Sequence, residues 1–131
     1  ADPRRHLKLG PGSLSDVEWL VQLLQLQHAH AVPGLRTTST LGALEAAVAA
    51  DFVTEEDAAR LREAWLLSSR LRSAITLLTG QTSDVLPADR RQLDAIGRLL
   101  GYPDRSATDL EEDYLGVTRR ARKTFEQLFY G

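Results

Sequence analysis

Apolar residues recur at three- and four-residue intervals along most of the chain, the signature of helices that each bury one face. Val17, Leu20, Val21 and Leu24 follow a Ser15–Glu18 pair with capping-box spacing and predict a first helix from about Asp16 to His30. Trp19, Leu23 and Leu26 cover much of the rest of its circumference, so this helix is expected to be central and largely buried. After the break at Pro33 and Gly34, Ser39 or Thr40 can cap a short alanine-rich helix from about Leu41 to Ala50. Thr54 and the acidic residues at 55, 56 and 57 then open the longest run, with Leu61, Ala64, Leu67, Leu71, Ala74 and Leu78 on one face until Gly80 ends it. A polar loop from Gln81 to Leu86 leads to a fourth helix with Pro87 in its first turn and Leu93, Ile96 and Leu100 buried. A last helix, from about Thr108 to Phe129, turns Leu110, Tyr114, Val117, Ala121, Phe125 and Leu128 to one side. No segment alternates with strand period. The expected fold is all-α: a single domain over residues 1–131, with about five antiparallel, bundle-like packed helices around one core. Residues 1–13 are read as an extended arm and a glycine-rich turn.

Composition agrees with the pattern. Leucine and alanine far outnumber valine and isoleucine, which favours helix over strand. The chain has no cysteine, which excludes a disulfide framework, a thiolate zinc site and a Cys nucleophile. A net charge of −2 lacks the basic excess expected of a nucleic-acid binder, and no apolar run reaches the length of a membrane span. A soluble, cytoplasmic protein is expected. The two tryptophans, Trp19 and Trp65, are expected to be buried anchors.

Candidate chemistry concentrates at Lys8, Leu9, Gly10, Pro11, Gly12, Ser13, Leu14, Ser15, Asp16, Val17, Glu18, Trp19. A lysine beside a glycine-bearing turn that opens a helix suits phosphate, because backbone N–H groups and the helix dipole favour negative charge there. The alternative is purely structural: the glycines permit a tight turn, Ser15 and Glu18 cap the helix and Asp16 meets its dipole. Asp16 and Glu18 lie at i and i+2, about 200° apart on a helix, and are poorly placed to share a metal ion.

This segment resembles the Lys, Leu or Tyr, Gly, any, Gly, Gly, Ile or Leu, any, Asp or Glu, Ile or Val, Glu or Gln, Phe motif of bacterial glutamine synthetase adenylyltransferases and their PII uridylyltransferase relatives. Ser13 stands where that motif has a second glycine, and Trp19 where it has phenylalanine. The likeness continues through Val21–Leu24, His28–His30, Ser39–Leu41, the Glu55–Asp57 cap, Arg70–Leu71 and Leu86–Pro87, nearly the whole chain. Fourteen arginines against two lysines fit a GC-rich, actinobacterial source.

The resemblance implies the helical domain that follows a nucleotidyltransferase domain, closes one wall of its nucleotide cleft and orients the protein substrate. It implies transfer of AMP from ATP to glutamine synthetase and its phosphorolytic removal. ATP and Mg²⁺ belong to the parent enzyme, and none is expected on this segment alone. The implied cofactor-binding residues are Lys8, Gly10, Gly12, Asp16, Glu18 and Arg70. Lys8 and the two glycines are placed near the triphosphate. No catalytic residue and no metal ligand is expected here, since the Asp-x-Asp carboxylates of the catalytic domain are absent. The implied partners are glutamine synthetase, the nucleotidyltransferase domain of the same chain and a PII-type signal protein, with no nucleic acid and no membrane. The ending soon after the last helix favours the C-terminal, adenylylating half. Two other readings stand beside this one: a docking module that never touches nucleotide, and the equivalent domain of a PII uridylyltransferase.

Three further groups invite chemistry. Arg70 falls beside the apolar face of the long helix and needs a carboxylate or phosphate partner, unless it snorkels to the surface. His28 and His30 face different sides of a helix and do not make a zinc site. Arg119, Arg120, Arg122 and Lys123 follow Asp109, Glu111, Glu112 and Asp113 on the last helix, an order that suits the dipole and reads as solvated faces, with partner docking as the alternative.

Overall fold

A computed structural model describes residues 2–131. It contains α1 (Leu14–His28), α2 (Thr40–Ala49), α3 (Glu55–Thr79), α4 (Arg90–Leu99) and α5 (Ala107–Phe129), with short 3-10 turns at Pro3–Arg5 and Pro33–Leu35. Among the described residues there is no strand, only an isolated antiparallel bridge between His6 and Val85. The all-α architecture is as expected.

The caps explain where helices begin and end. The Ser39 hydroxyl accepts from the Gly42 amide, Thr54 from Asp57 and the Asp89 carboxylate from Arg91, so α2, α3 and α4 each start on a side-chain acceptor. Helix α3 stops at Gly80, which takes φ +72°. Two start sites differ from expectation. Pro87 lies outside α4, because Asp89 supplies the cap two residues later. Helix α1 starts at Leu14 with Ser13 as its N-cap, and the Ser15–Glu18 capping box does not form, because Ser15 already lies inside the helix.

Helices α3 and α5 share the largest interface and run antiparallel as a spine. The buried side chains divide into two clusters along it rather than filling one core. In the first, Val17, Leu20, Val21 and Leu24 of α1 and Ala43, Leu44 and Ala47 of α2 pack on Leu61 and Ala64 of α3 and on Val117, Ala121 and Phe125 of α5. In the second, Leu93 and Ile96 of α4 pack on Leu71, Ala74 and Ile75 of α3 and Leu110 and Tyr114 of α5. Leu67 touches both. Burial of these apolar surfaces, at about 25 cal/mol per Å², is the main stabilising term.

Three expectations of burial need correction. The N-terminal segment is not an extended arm: it opens with a 3-10 turn, and Leu7 is fully buried in the second cluster beside Leu86, itself buried rather than part of a polar loop. Trp19 is 52% exposed and Leu26 84%, so α1 is amphipathic, with an open apolar stripe where a buried face was expected. Leu78 is also exposed, and Ile75 takes its place in the core. Trp65 packs against the first cluster as expected.

Candidate functional site

The turn before α1 is built by the N-terminal segment folding back over the start of the helix. Backbone bonds from Leu7 to Asp84 O (2.6 Å) and from Leu86 to Arg5 O (2.9 Å) fix that segment across the chain. The Arg5 guanidinium donates to Leu86 O (3.2 Å), to Pro87 O (2.5 Å) and to Glu111 Oε2 (2.7 Å). Glu111 also meets Arg90 at 2.6 Å. Burial pushes the Glu111 carboxyl up, but the two guanidiniums outweigh it and hold the group below its ordinary value.

The N–H groups that would cradle a phosphate already have acceptors. Gly12 donates to Asp16 Oδ2 (2.6 Å), Ser13 to Gly10 O (3.1 Å), Leu14 to Leu7 O (3.3 Å) and Ser15 to Lys8 O (2.9 Å). Ser13, in the place of the motif's second glycine, is fully buried, and its hydroxyl donates to Gly10 O (2.7 Å) and His6 O (3.1 Å). A Cβ on Gly10 would lie 2.4 Å from His6 O, and one on Gly12, at φ +75°, 1.9 Å from Thr118 O. Close backbone packing inside the domain accounts for both glycines.

The six candidate residues do not converge on one place. Gly10, Gly12 and Asp16 meet in the buried turn, and the exposed Lys8 belongs to the same turn. Asp16 is 4% exposed, and besides Gly12 N–H its Oδ2 takes the Arg122 guanidinium of α5 at 3.0 Å. Glu18 lies at a shallow polar depression with Gln22, Gln25 and Thr37. Arg70 is exposed, midway along α3, beside Ser73, Leu77 and Leu99, and has no ion-pair partner among the described residues. The expected partner is therefore not within the domain, and the arginine reaches solvent.

These residues do not fit a Mg²⁺ ion. The Asp16 carboxylate is held by Arg122 and Gly12, and among the described residues no three ligating side chains come together. His28 stacks on Phe52 with ring centroids 3.8 Å apart, while His30 is exposed.

A basic cleft lies beside the turn. A hollow of about 350 Å³ is lined by Arg4 and Pro11 on one side and by Thr118, Arg119, Arg122 and Lys123 of α5 on the other. The arginine-rich run was visible, but its meeting with Arg4 and Pro11 depends on the fold.

Over residues 2–129 the sequence matches the family described as GlnD PII-uridylyltransferase. The chain belongs to that family. Its curated relatives include a protein of Leifsonia xyli subsp. xyli, 66% identical over 131 residues, and one of Streptomyces avermitilis, 55% identical over 131 residues. A third, from Mycobacterium leprae, is 48% identical over 131 residues. In each case the alignment covers 100% of this chain and 13% of the relative. All three carry the name bifunctional glutamine synthetase adenylyltransferase/adenylyl-removing enzyme. These relatives are actinobacterial, in keeping with the arginine-rich composition. The chain thus spans about one eighth of the length of these relatives, and over that span it is all-α. None of its described helices is long and apolar enough to cross a membrane.

Proposed function

We propose that this chain is the helical domain of a bifunctional enzyme that transfers AMP from ATP to glutamine synthetase and removes it again. In that enzyme it packs against a nucleotidyltransferase domain, closes one wall of the nucleotide cleft and orients the protein substrate. The observation that carries the reading is identity of 66% along the full chain to an enzyme of that name. ATP and Mg²⁺ would be held by the nucleotidyltransferase domain, so this segment alone is inactive. Its own contribution is positional, which matters because nucleotidyl transfer depends on alignment and charge stabilisation more than on a nucleophile from the wall.

Within this reading Lys8 is the residue free to face the triphosphate, being exposed on a turn whose backbone is fixed from behind. Gly10, Gly12 and Asp16 hold that turn in place, and Glu18 and Arg70 face other parts of the parent. The test is Lys8→Ala in the full-length enzyme. Adenylylation should fall by about tenfold or more, with the melting temperature unchanged. Unchanged turnover would remove Lys8 from the nucleotide cleft.

A second reading is favoured by the open apolar stripe of α1. Trp19, Leu23 and Leu26 recur at i, i+4 and i+7, and Trp19 and Leu26 are exposed. In this reading the domain docks glutamine synthetase or a PII-type signal protein without touching nucleotide. Replacing Trp19 and Leu26 by alanine would then weaken capture of the protein partner and leave ATP binding by the parent enzyme intact. Loss of ATP binding instead would count against it.

A further inference from the structure

We infer that the basic cleft between the N-terminal segment and the middle of α5 is a binding site for a polyphosphate anion. The cleft is lined by Arg4, Arg119, Arg122, Lys123 and Glu126, and with Arg4 paired to Asp2 and Arg122 to Asp16 and Glu126, it is Arg119 and Lys123 that leave it net positive in a chain whose net charge is −2. Such separation of charge in a walled hollow concentrates field and attracts anions.

The helix dipole does not explain the cluster. Helix α5 runs to Phe129 and has no basic residue in its last turn, while Arg119, Arg122 and Lys123 sit one to three turns before its end. The dipole acts within the terminal turn. Arg119 and Lys123 are four residues apart on one face, a like-charge pairing that disfavours a free helix. Both are exposed, and neither has a carboxylate partner among the described residues. An anion in the cleft reverses the sign of that interaction.

The remaining two cations are held ready. The Arg122 guanidinium is fixed by Asp16 at 3.0 Å through Nη1 and lies 5.0 Å from the centre of the Phe125 ring. Its Nη2 has no acceptor among the described residues. Arg4 forks onto Asp2 through Nε (3.1 Å) and Nη2 (2.7 Å), which leaves its Nη1 without one. Planar guanidiniums with spare N–H groups match phosphate oxygens, and holding them in place beforehand reduces the entropy lost on binding. Pro11 and Leu115 give the hollow an apolar edge, and about 350 Å³ suits a small ligand rather than a protein segment. The anion can reach the cleft as the phosphate chain of a nucleotide or as free inorganic polyphosphate. The inference does not rest on the activity of the parent enzyme, because all of the lining residues belong to this chain.

The test is calorimetric titration of the 131-residue chain with tripolyphosphate, pyrophosphate, ATP and AMP at matched ionic strength. Saturable one-to-one binding of tripolyphosphate is expected, weakening as salt rises. Amide shifts in the NMR spectrum of the unaltered chain should be confined to residues around 118–123 and the Gly12 turn. The Arg119→Gln/Lys123→Gln double variant should weaken binding at least about tenfold, while Arg91→Gln/Arg98→Gln, at exposed positions on α4, should change it by less than about twofold. Binding of ATP as tight as that of tripolyphosphate identifies the nucleotide as the source, and binding of tripolyphosphate alone identifies free polyphosphate. The inference is overturned if tripolyphosphate fails to saturate, if the shifts fall elsewhere, if the cleft variant binds as well as the parent chain, or if an acidic peptide binds where polyphosphate does not.

Discussion

Asp16 and Arg122, 106 residues apart in the chain, meet at 3.0 Å and lock the first turn of α1 onto α5. The pair is asymmetric: the Asp16 side chain is 6% exposed and that of Arg122 33%. Removing the arginine therefore leaves a buried carboxylate with only the Gly12 amide for company, whereas Asp16→Asn keeps an acceptor for that amide and lets Arg122 turn to water. Breaking a buried pair costs about 3–5 kcal/mol; because Arg122 is partly solvated, Arg122→Ala should cost nearer about 3 kcal/mol. Asp16→Asn should cost roughly 1–2 kcal/mol. Urea unfolding monitored by helical circular dichroism measures both. Two variants equal to the parent in midpoint would show that the pair does not clamp the turn.

Gly12 and Gly80 share a left-handed conformation, φ +75° and +72°, but not an environment. A methyl group at Gly80 would meet nothing within 4 Å, so Gly80→Ala should cost only the conformational penalty, about 1–2 kcal/mol. At Gly12 the same methyl would sit 1.9 Å from the Thr118 carbonyl oxygen, and neither backbone can give way without parting α1 from α5. Gly12→Ala should cost more than about 4 kcal/mol and lower the yield of folded chain. Thermal melts of the two variants decide it: equal losses would mean that backbone conformation alone, rather than close helix approach, demands glycine before α1.

The helices were legible because each declares itself locally, through a leucine stripe, a Thr54 or Ser39 cap, or the stop at Gly80. The features that failed depend on contacts distant in sequence. Leu7 is a lone leucine in a charged stretch, without periodicity, and only its meeting with Leu86 and Tyr114 buries it. Nothing local pairs Asp16 with Arg122, so the motif around Gly10 and Gly12 left a phosphate turn open beside the packing turn. Trp19 misled for the opposite reason: apolar residues all round α1 imply burial on every side, yet the domain covers only one face and leaves Trp19 and Leu26 exposed. The basic run on α5 was seen, but its charge was balanced along the sequence against Asp109–Asp113, while in space the cations face Pro11 and Arg4.

Tyr114 predicts how the domain fails at high pH. It is fully buried at the second cluster, with its hydroxyl 3.5 Å from His6 O, and burial pushes that hydroxyl up to about 12. In the unfolded chain a tyrosine ionises near pH 10, roughly. Between these values the native state retains a proton that the unfolded state has lost, so stability falls as pH rises. The contribution is intact below about pH 10 and is lost as the pH climbs to about 12, at up to about 1.4 kcal/mol per pH unit. Tyr102 adds in the same direction, raised by burial first and then by its hydrogen bond to Asp113. Urea midpoints taken from about pH 8 to about pH 11.5 should therefore be flat and then descend. Tyr114→Phe should be less steep over the upper range without becoming level, since Tyr102 remains. An identical slope in the phenylalanine variant would show that the Tyr114 hydroxyl ionises as freely in the folded domain as in water.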